Sequence, residues 1–128
     1  MGRMKGRIIN KGNVQGEALY SSQPISFFGT VDPDTGLVTE PGHPLFGKSI
    51  ASKILIMPYA KGSTVGSYVI YALAKNKVAP KAIILEECDV IVAVGAIISD
   101  LPVVDRVDIE LLDSAKQIQI ENGVVHFE

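Results

Sequence analysis

The stretch "KILIMPYAKGSTVGSYVIYALAKNKVAPKAIIL" (Lys53–Leu85) decides the fold. Its two ends, Lys53–Met57 and Lys81–Leu85, are short continuous apolar runs of the kind that form strands buried on both faces. Between them, from Thr64 to about Asn76, Val65, Val69, Ala72 and Leu73 recur at helical spacing. Pro80 prevents continuation, and Lys75 and Lys77 suit the negative end of a helix dipole. Strand, helix and strand in this order predict one β-α-β unit with parallel strands and a right-handed connection.

Outward from that unit the signals are shorter. Arg7–Ile9 and Gln15–Tyr20 read as strands around the turn Asn10-Lys11-Gly12-Asn13. Ile25–Ser49 is a long ordered connection with turn chemistry at Asp32-Pro33-Asp34-Thr35-Gly36 and at Pro41-Gly42-His43-Pro44. "DVIVAVGAIIS" (Asp89–Ser99) reads two ways: its β-branched density favours a strand, its length a buried helix. Pro102–Val104 is a short strand, and "KQIQIENGVVHF" (Lys116–Phe127) alternates around Asn122-Gly123 as a hairpin does. The expected class is α/β, with a mixed sheet, barrel-like strands and about two helices. One domain spanning residues 1–128 is expected from the length.

Composition removes several function classes. Twelve basic against 14 acidic residues give a net charge of −2 with no basic block, which argues against a nucleic-acid surface. The longest apolar stretch, Asp89–Asp100, has acids at both ends and is shorter than the roughly 20 residues a membrane span needs. The N-terminal residues lack the apolar core of a signal peptide, and Gly6 stands where myristoylation wants Ser or Thr. A soluble cytoplasmic protein is expected. Cys88 is the single cysteine, and His43 and His126 are the only histidines. The chain therefore has no internal disulfide and no ligand set for zinc or an iron–sulfur cluster. Any metal chemistry would be brought by another chain.

Within the decisive stretch, Ser63, Thr64 and Ser67 crowd the start of the helix behind Lys61-Gly62. A helix start leaves backbone N–H groups unpaired and adds positive potential, so this corner can hold a carboxylate, a phosphate or a developing oxyanion. Two readings compete. Ser63 is either only the N-cap of the helix or a chemical group that works on a substrate. The spacing is neither a P-loop nor a Gly-x-Ser-x-Gly nucleophile elbow.

"FFGTVDPDTG", "HPLFGKSI", "KGSTVGSYVIYAL", "APKAIIL" and "DVIVAVGAIISDLPVVD", in this order, resemble the small-subunit (swivel-domain) family of the aconitase X proteins across roughly Val14–Asp105. The resemblance implies a swivelling β/β/α domain that closes over a large subunit in a heterodimer. That partner would carry an iron–sulfur cluster of the 4Fe-4S kind, with none held by this chain. It implies a hydro-lyase that converts (R)-mevalonate 5-phosphate to trans-anhydromevalonate 5-phosphate in an archaeal isoprenoid pathway. Carried over residue by residue, the proton-accepting serine is Ser63, with Lys61, Gly62 and Thr64 positioning anionic oxygens of the substrate. Lys61 stands where relatives carry Arg or Lys, and Ala60 where many carry Gly. Two alternatives stay open: an aconitase X dehydratase of a hydroxyproline-type substrate, and a non-catalytic anion-binding swivel module.

Other residues read more plainly. Asp32 and Asp34 suit Asx turns, and His43 a structural or partner contact. Glu86, Glu87 and Asp89 follow a strand at its carboxyl end and suit a solvated or helix-capping face. Cys88 reads as a small buried hydrophobe, Gly95 as a close-packing point, and Tyr68 and Tyr71 as either packing or an intersubunit surface.

Overall fold

The computed structural model describes residues 2–128. At its centre, strands β5 (Ile54–Met57) and β7 (Ala82–Leu85) are buried at every position. Successive side chains of a strand point to opposite faces. Leu55, Met57, Ile83 and Leu85 thus enter one core, and Ile54, Ile56, Ala82 and Ile84 enter a second. The two strands pair in parallel from Ile54↔Ala82 to Met57↔Leu85, joined by helix α2 (Gly66–Lys75). The β-α-β reading of Lys53–Leu85 is borne out.

The first core lies under α2, helix α3 (Val90–Ser99) and the long connection, which contributes Ile25, Phe27, Val38, Leu45 and Ile50. The second lies under the hairpin β9 (Gln117–Glu121) and β10 (Val124–Phe127), with Ile109 and Leu112 of a 3-10 turn. At the hairpin tip Asn122 and Gly123 both take positive φ, 51° and 79°, as a two-residue loop of this kind requires.

Eight strands form one sheet in the order β1-β10-β9-β3-β5-β7-β8-β2. Here β1 is Gly2–Lys5, β2 Arg7–Asn10, β3 Val14–Tyr20 and β8 Val103–Asp105. The four strands from β3 to β8 run parallel to their neighbours and the remaining pairings are antiparallel. β1 and β2 stand at opposite ends of that order, yet only Gly6 separates them in the chain. The chain itself therefore draws the sheet into a nearly closed barrel. Gly6 donates to the Gly123 carbonyl at 2.9 Å, and a Cβ there would fall 2.2 Å from Val104 Cγ1. No side chain fits at the closure.

Asp89–Ser99, open between strand and helix in the sequence, is helical from Val90. Asp89 caps it by accepting from the Val92 N–H at 2.9 Å, and Asp100 ends it at φ 54° in the left-handed region. The absence of a side chain at Gly95 lets α3 lie directly on Ile70 of α2, where an added Cβ would come within 2.8 Å. The helix start was placed two residues early. The buried face of α2 is Gly66, Ser67, Ile70 and Leu73, so the stripe predicted through Val65 and Ala72 is rotated toward α3, and Val65 is exposed. Strand β1 escaped the sequence reading because its alternation is only four residues long. The short parallel pair β4 (Ile25–Ser26) and β6 (Ala60–Lys61) escaped it too.

One ion pair, buried on its Asp105 side and exposed on its Arg7 side, ties the closure to the helical side. Asp105 is fully buried and accepts from Arg7 Nε at 2.9 Å, Arg7 Nη2 at 2.8 Å and the Cys88 N–H at 2.9 Å. Burial pushes the Asp105 carboxyl up, but the Arg7 guanidinium and the Cys88 amide outweigh it and hold the group below the ordinary carboxylate range. A depressed carboxyl stabilises the fold above its unfolded value of about 3.9, and that contribution is lost as pH falls through the folded value. Asp105→Asn is expected to lose about 2 kcal/mol at neutral pH. It should also flatten the acid limb of stability below about pH 4, in thermal melts recorded from pH 7 to pH 2.

Candidate active site

Strand β5 ends at Met57, and the chain then crosses the carboxyl edge of the parallel strands before entering α2. Along the way Ala60–Lys61 pairs with Ile25–Ser26, and Gly62 turns at φ 96°. The positive φ favours glycine, and space demands it as well: a Cβ on Gly62 would lie 2.4 Å from Ser26 Oγ. The backbone of Gly62 is thereby pressed against a serine hydroxyl from the other strand.

Lys61, Gly62, Ser63 and Thr64 are all exposed, so the four residues singled out in the sequence stand together on one open corner. Ser63 is not the cap of the regular helix, whose capping position is Val65. It caps the turn leading into it. Its Oγ accepts from the Val65 N–H at 3.1 Å, and its carbonyl accepts from the Gly66 N–H at 2.9 Å. Among the described residues the N–H groups of Gly62, Ser63 and Thr64 have no acceptor within the chain. Three amides without an acceptor thus belong to the same turn as a hydroxyl that already receives one N–H. Each such donor favours negative charge on oxygen, whether on Ser63 itself or on a bound anion.

No neighbouring base serves Ser63. His43 is buried, with Nδ1 accepting from the Leu45 N–H at 3.0 Å and Nε2 donating to the Pro24 carbonyl at 3.1 Å. Both nitrogens are committed, and His43 pins the connection that leads into Ile25–Ser26. Asp89 is similarly committed: besides capping α3 it accepts from the Ala60 N–H at 3.1 Å, bringing the start of α3 beside the corner. Asp32 closes an Asx turn onto the Asp34 N–H at 2.9 Å, and Glu86 and Glu87 are exposed. The structural readings of these residues hold.

Sequence reasoning missed two participants. Ser26 was invisible because its approach to Gly62 depends on a strand pair between residues 35 positions apart. Phe28, about half exposed, reaches the same corner because its backbone packs beside Gly66. The turn-rich sequence around Gly29 was the only hint of a sharp bend there.

Cys88 is half-buried and free, and burial foremost, then Asp89 and Asp105, push its thiol up to about 12. Among the described residues no group of three or more His, Cys, Asp and Glu could hold a metal ion. Two depressions of about 460 and 470 Å³ open elsewhere, one beside Gln117, Gln119 and His126 and one beside Ile8, Asn10 and Asn122; neither includes Ser63. No helix among the described residues is long and apolar enough to cross a membrane.

A nearly closed mixed barrel, two helices over one face and a Gly-Ser corner at the parallel strands' carboxyl edge define a swivel-type α/β domain. The chain belongs to the aconitase X swivel domain family, whose model matches residues 3–126. It is 54% identical to the phosphomevalonate dehydratase small subunit of Thermococcus kodakarensis, over 93% of this chain and 90% of that one. It is 58% identical to the subunit of the same name from Methanosarcina mazei, over 83% of this chain and 74% of that one. Among solved structures it is similar to Thermococcus kodakaraensis aconitase X in its holo-form, with a TM-score of 0.96 and 51% identity over 100% of this chain and 99% of that one.

Two outcomes follow from this geometry. Gly62→Val should lower the melting temperature by forcing Ser26 aside and straining φ, a combined loss of about 2 kcal/mol read by thermal denaturation. With its thiol pushed up to about 12, Cys88 should be alkylated by iodoacetamide at pH 8 far more slowly than a free cysteine, as followed by mass spectrometry.

Proposed function

We propose that this chain, as a single swivel domain, is the small subunit of a two-chain hydro-lyase that dehydrates (R)-mevalonate 5-phosphate to trans-anhydromevalonate 5-phosphate. Ser63 is the group that takes the proton. The observation that carries this reading is an exposed hydroxyl in a turn whose Gly62, Ser63 and Thr64 amides have no acceptor among the described residues, in a chain at least half identical to subunits named for that dehydration.

The elimination removes a proton from the carbon beside the carboxylate and expels a hydroxyl from the next carbon. Ser63 Oγ accepts the proton. The Val65 N–H donated to Oγ, the helix start and the charge of Lys61 all stabilise the oxygen in its proton-accepting form. The free amides of Gly62, Ser63 and Thr64 orient carboxylate oxygens and receive the charge that develops there as the proton leaves. Ser26 keeps the Gly62 backbone fixed while this happens.

The departing hydroxyl needs an acid that this chain does not offer. A single half-buried thiol and a corner without carboxylate clusters do not fit an iron–sulfur cluster. Any cluster belongs to the larger chain, which also completes the cavity that Ser63 lacks by itself.

Ser63→Ala in the reconstituted pair should reduce kcat by about 1,000-fold or more with little change in association of the chains. Turnover within a few-fold of wild type would remove Ser63 from the mechanism. Offering the pair a hydroxyproline in place of mevalonate 5-phosphate separates this reading from the related dehydratase.

A further inference from the structure

Helix α3 is ten residues, VIVAVGAIIS, without a single charge. Ile91, Val92, Gly95 and Ala96 face the interior, which accounts for one side of the helix only. Val90, Val94, Ile97 and Ile98 recur at i, i+4, i+7 and i+8 on the other side and are 66, 45, 63 and 47% exposed. A solvated helix carries its polar residues on that face. Here the face is as apolar as the buried one.

The exposed strip is continuous with the candidate active site. Its first residue, Val90, follows Asp89, whose carboxylate holds the Ala60 N–H two residues before Gly62. Around the same corner Phe28, Tyr59, Val65 and Tyr68 are exposed, from 43% at Val65 to 70% at Tyr68. The polar centre of the corner is thus bordered by aromatic and aliphatic side chains, the lining of a ligand site with a few convergent polar groups, and an exposed apolar patch of this kind marks an interaction surface. The corner is exposed and supplies half of the chemistry the proposed reaction needs. Whatever closes it must lie on this border.

We propose that the Val90, Val94, Ile97 and Ile98 face of α3, together with Val65 and Tyr68, is the docking surface for the larger chain of the dehydratase. This inference rests on the two-chain reading and deepens it by naming the surface. A second copy is the poorer occupant: on this face it would oppose two identical hydroxyl corners, neither bringing the missing acid. Contact along α3 seats the partner at the helix start, over Ser63, and leaves the barrel face with β9 and β10 free.

The test is association of the purified chains by sedimentation or calorimetry, with the double variant Val94→Asp/Ile97→Asp and the milder Ile97→Ser. Gln119→Asp, on the opposite barrel face, is the control. Thermal melts establish that each small chain is folded. The aspartate variant should bind the larger chain about 30-fold or more weakly, with kcat recovered at saturating partner, whereas Gln119→Asp binds as wild type does. Unchanged binding of the aspartate variant overturns the proposal, as does equal weakening by the control. Self-association of the wild-type small chain that the aspartates abolish, with binding to the larger chain unchanged, assigns the face to a second copy and overturns it too. Ser63→Ala separates the two claims: normal association without turnover supports the catalytic reading. Normal association with turnover removes that reading and leaves the docking surface standing.

Discussion

The architecture depends on two strands with no solvent side. Because β5 and β7 are buried on both faces, each needs a separate apolar layer above and below, and the chain has to supply two cores. Helices α2 and α3 with the long connection form one layer; the curled antiparallel strands form the other. Parallel pairing of β5 with β7 in turn forces a crossover, and that crossover is what brings the chain over the carboxyl edge of the sheet at Lys61–Thr64. The functional corner is a consequence of the topology before it is a consequence of any catalytic side chain.

Chemistry at that corner is made mostly by backbone. In the proposed reading Ser63 takes the proton, and the groups that tune it are amides without an acceptor where a turn precedes a helix. Such groups are placed by φ and ψ, so Gly62 and its contact with Ser26 matter more than nearby ionisable residues. The residues that elsewhere act as general bases are committed to structure here: both nitrogens of His43 are bonded, and Asp89 holds two amides. With His43 and Asp89 held in this way, the proposed elimination draws only its proton acceptor from this chain and the acid from its partner.

The same economy explains the surface. A self-sufficient enzyme would enclose Ser63; this one leaves it on an open corner bordered by Phe28, Tyr59, Val65 and Val90. Burial of that border against a second chain would exclude water at the moment the site is completed, which strengthens every amide–oxygen contact within it. On the proposed docking surface, association and catalysis would be coupled through one patch.

The sequence by itself determined the β-α-β unit, the hairpin at Asn122-Gly123, the count of one cysteine and two histidines and the Lys61–Thr64 corner. Each of these is written in local periodicity, in turn residues or in counts that no folding can alter. It also carried the ordered motifs of the aconitase X swivel family, which the later comparisons bore out. Only the tertiary structure decided that Asp89–Ser99 is a helix. β-branched residues fit either state, and the choice fell to the Asp89 cap and to the Gly95 contact with Ile70. It alone decided which side of α2 is buried, since the neighbour that rotates the stripe comes 24 residues later in the chain. Barrel closure at Gly6 and the approach of Ser26 to Gly62 were likewise beyond reading, because both join segments that share no periodicity and meet only when the sheet curls.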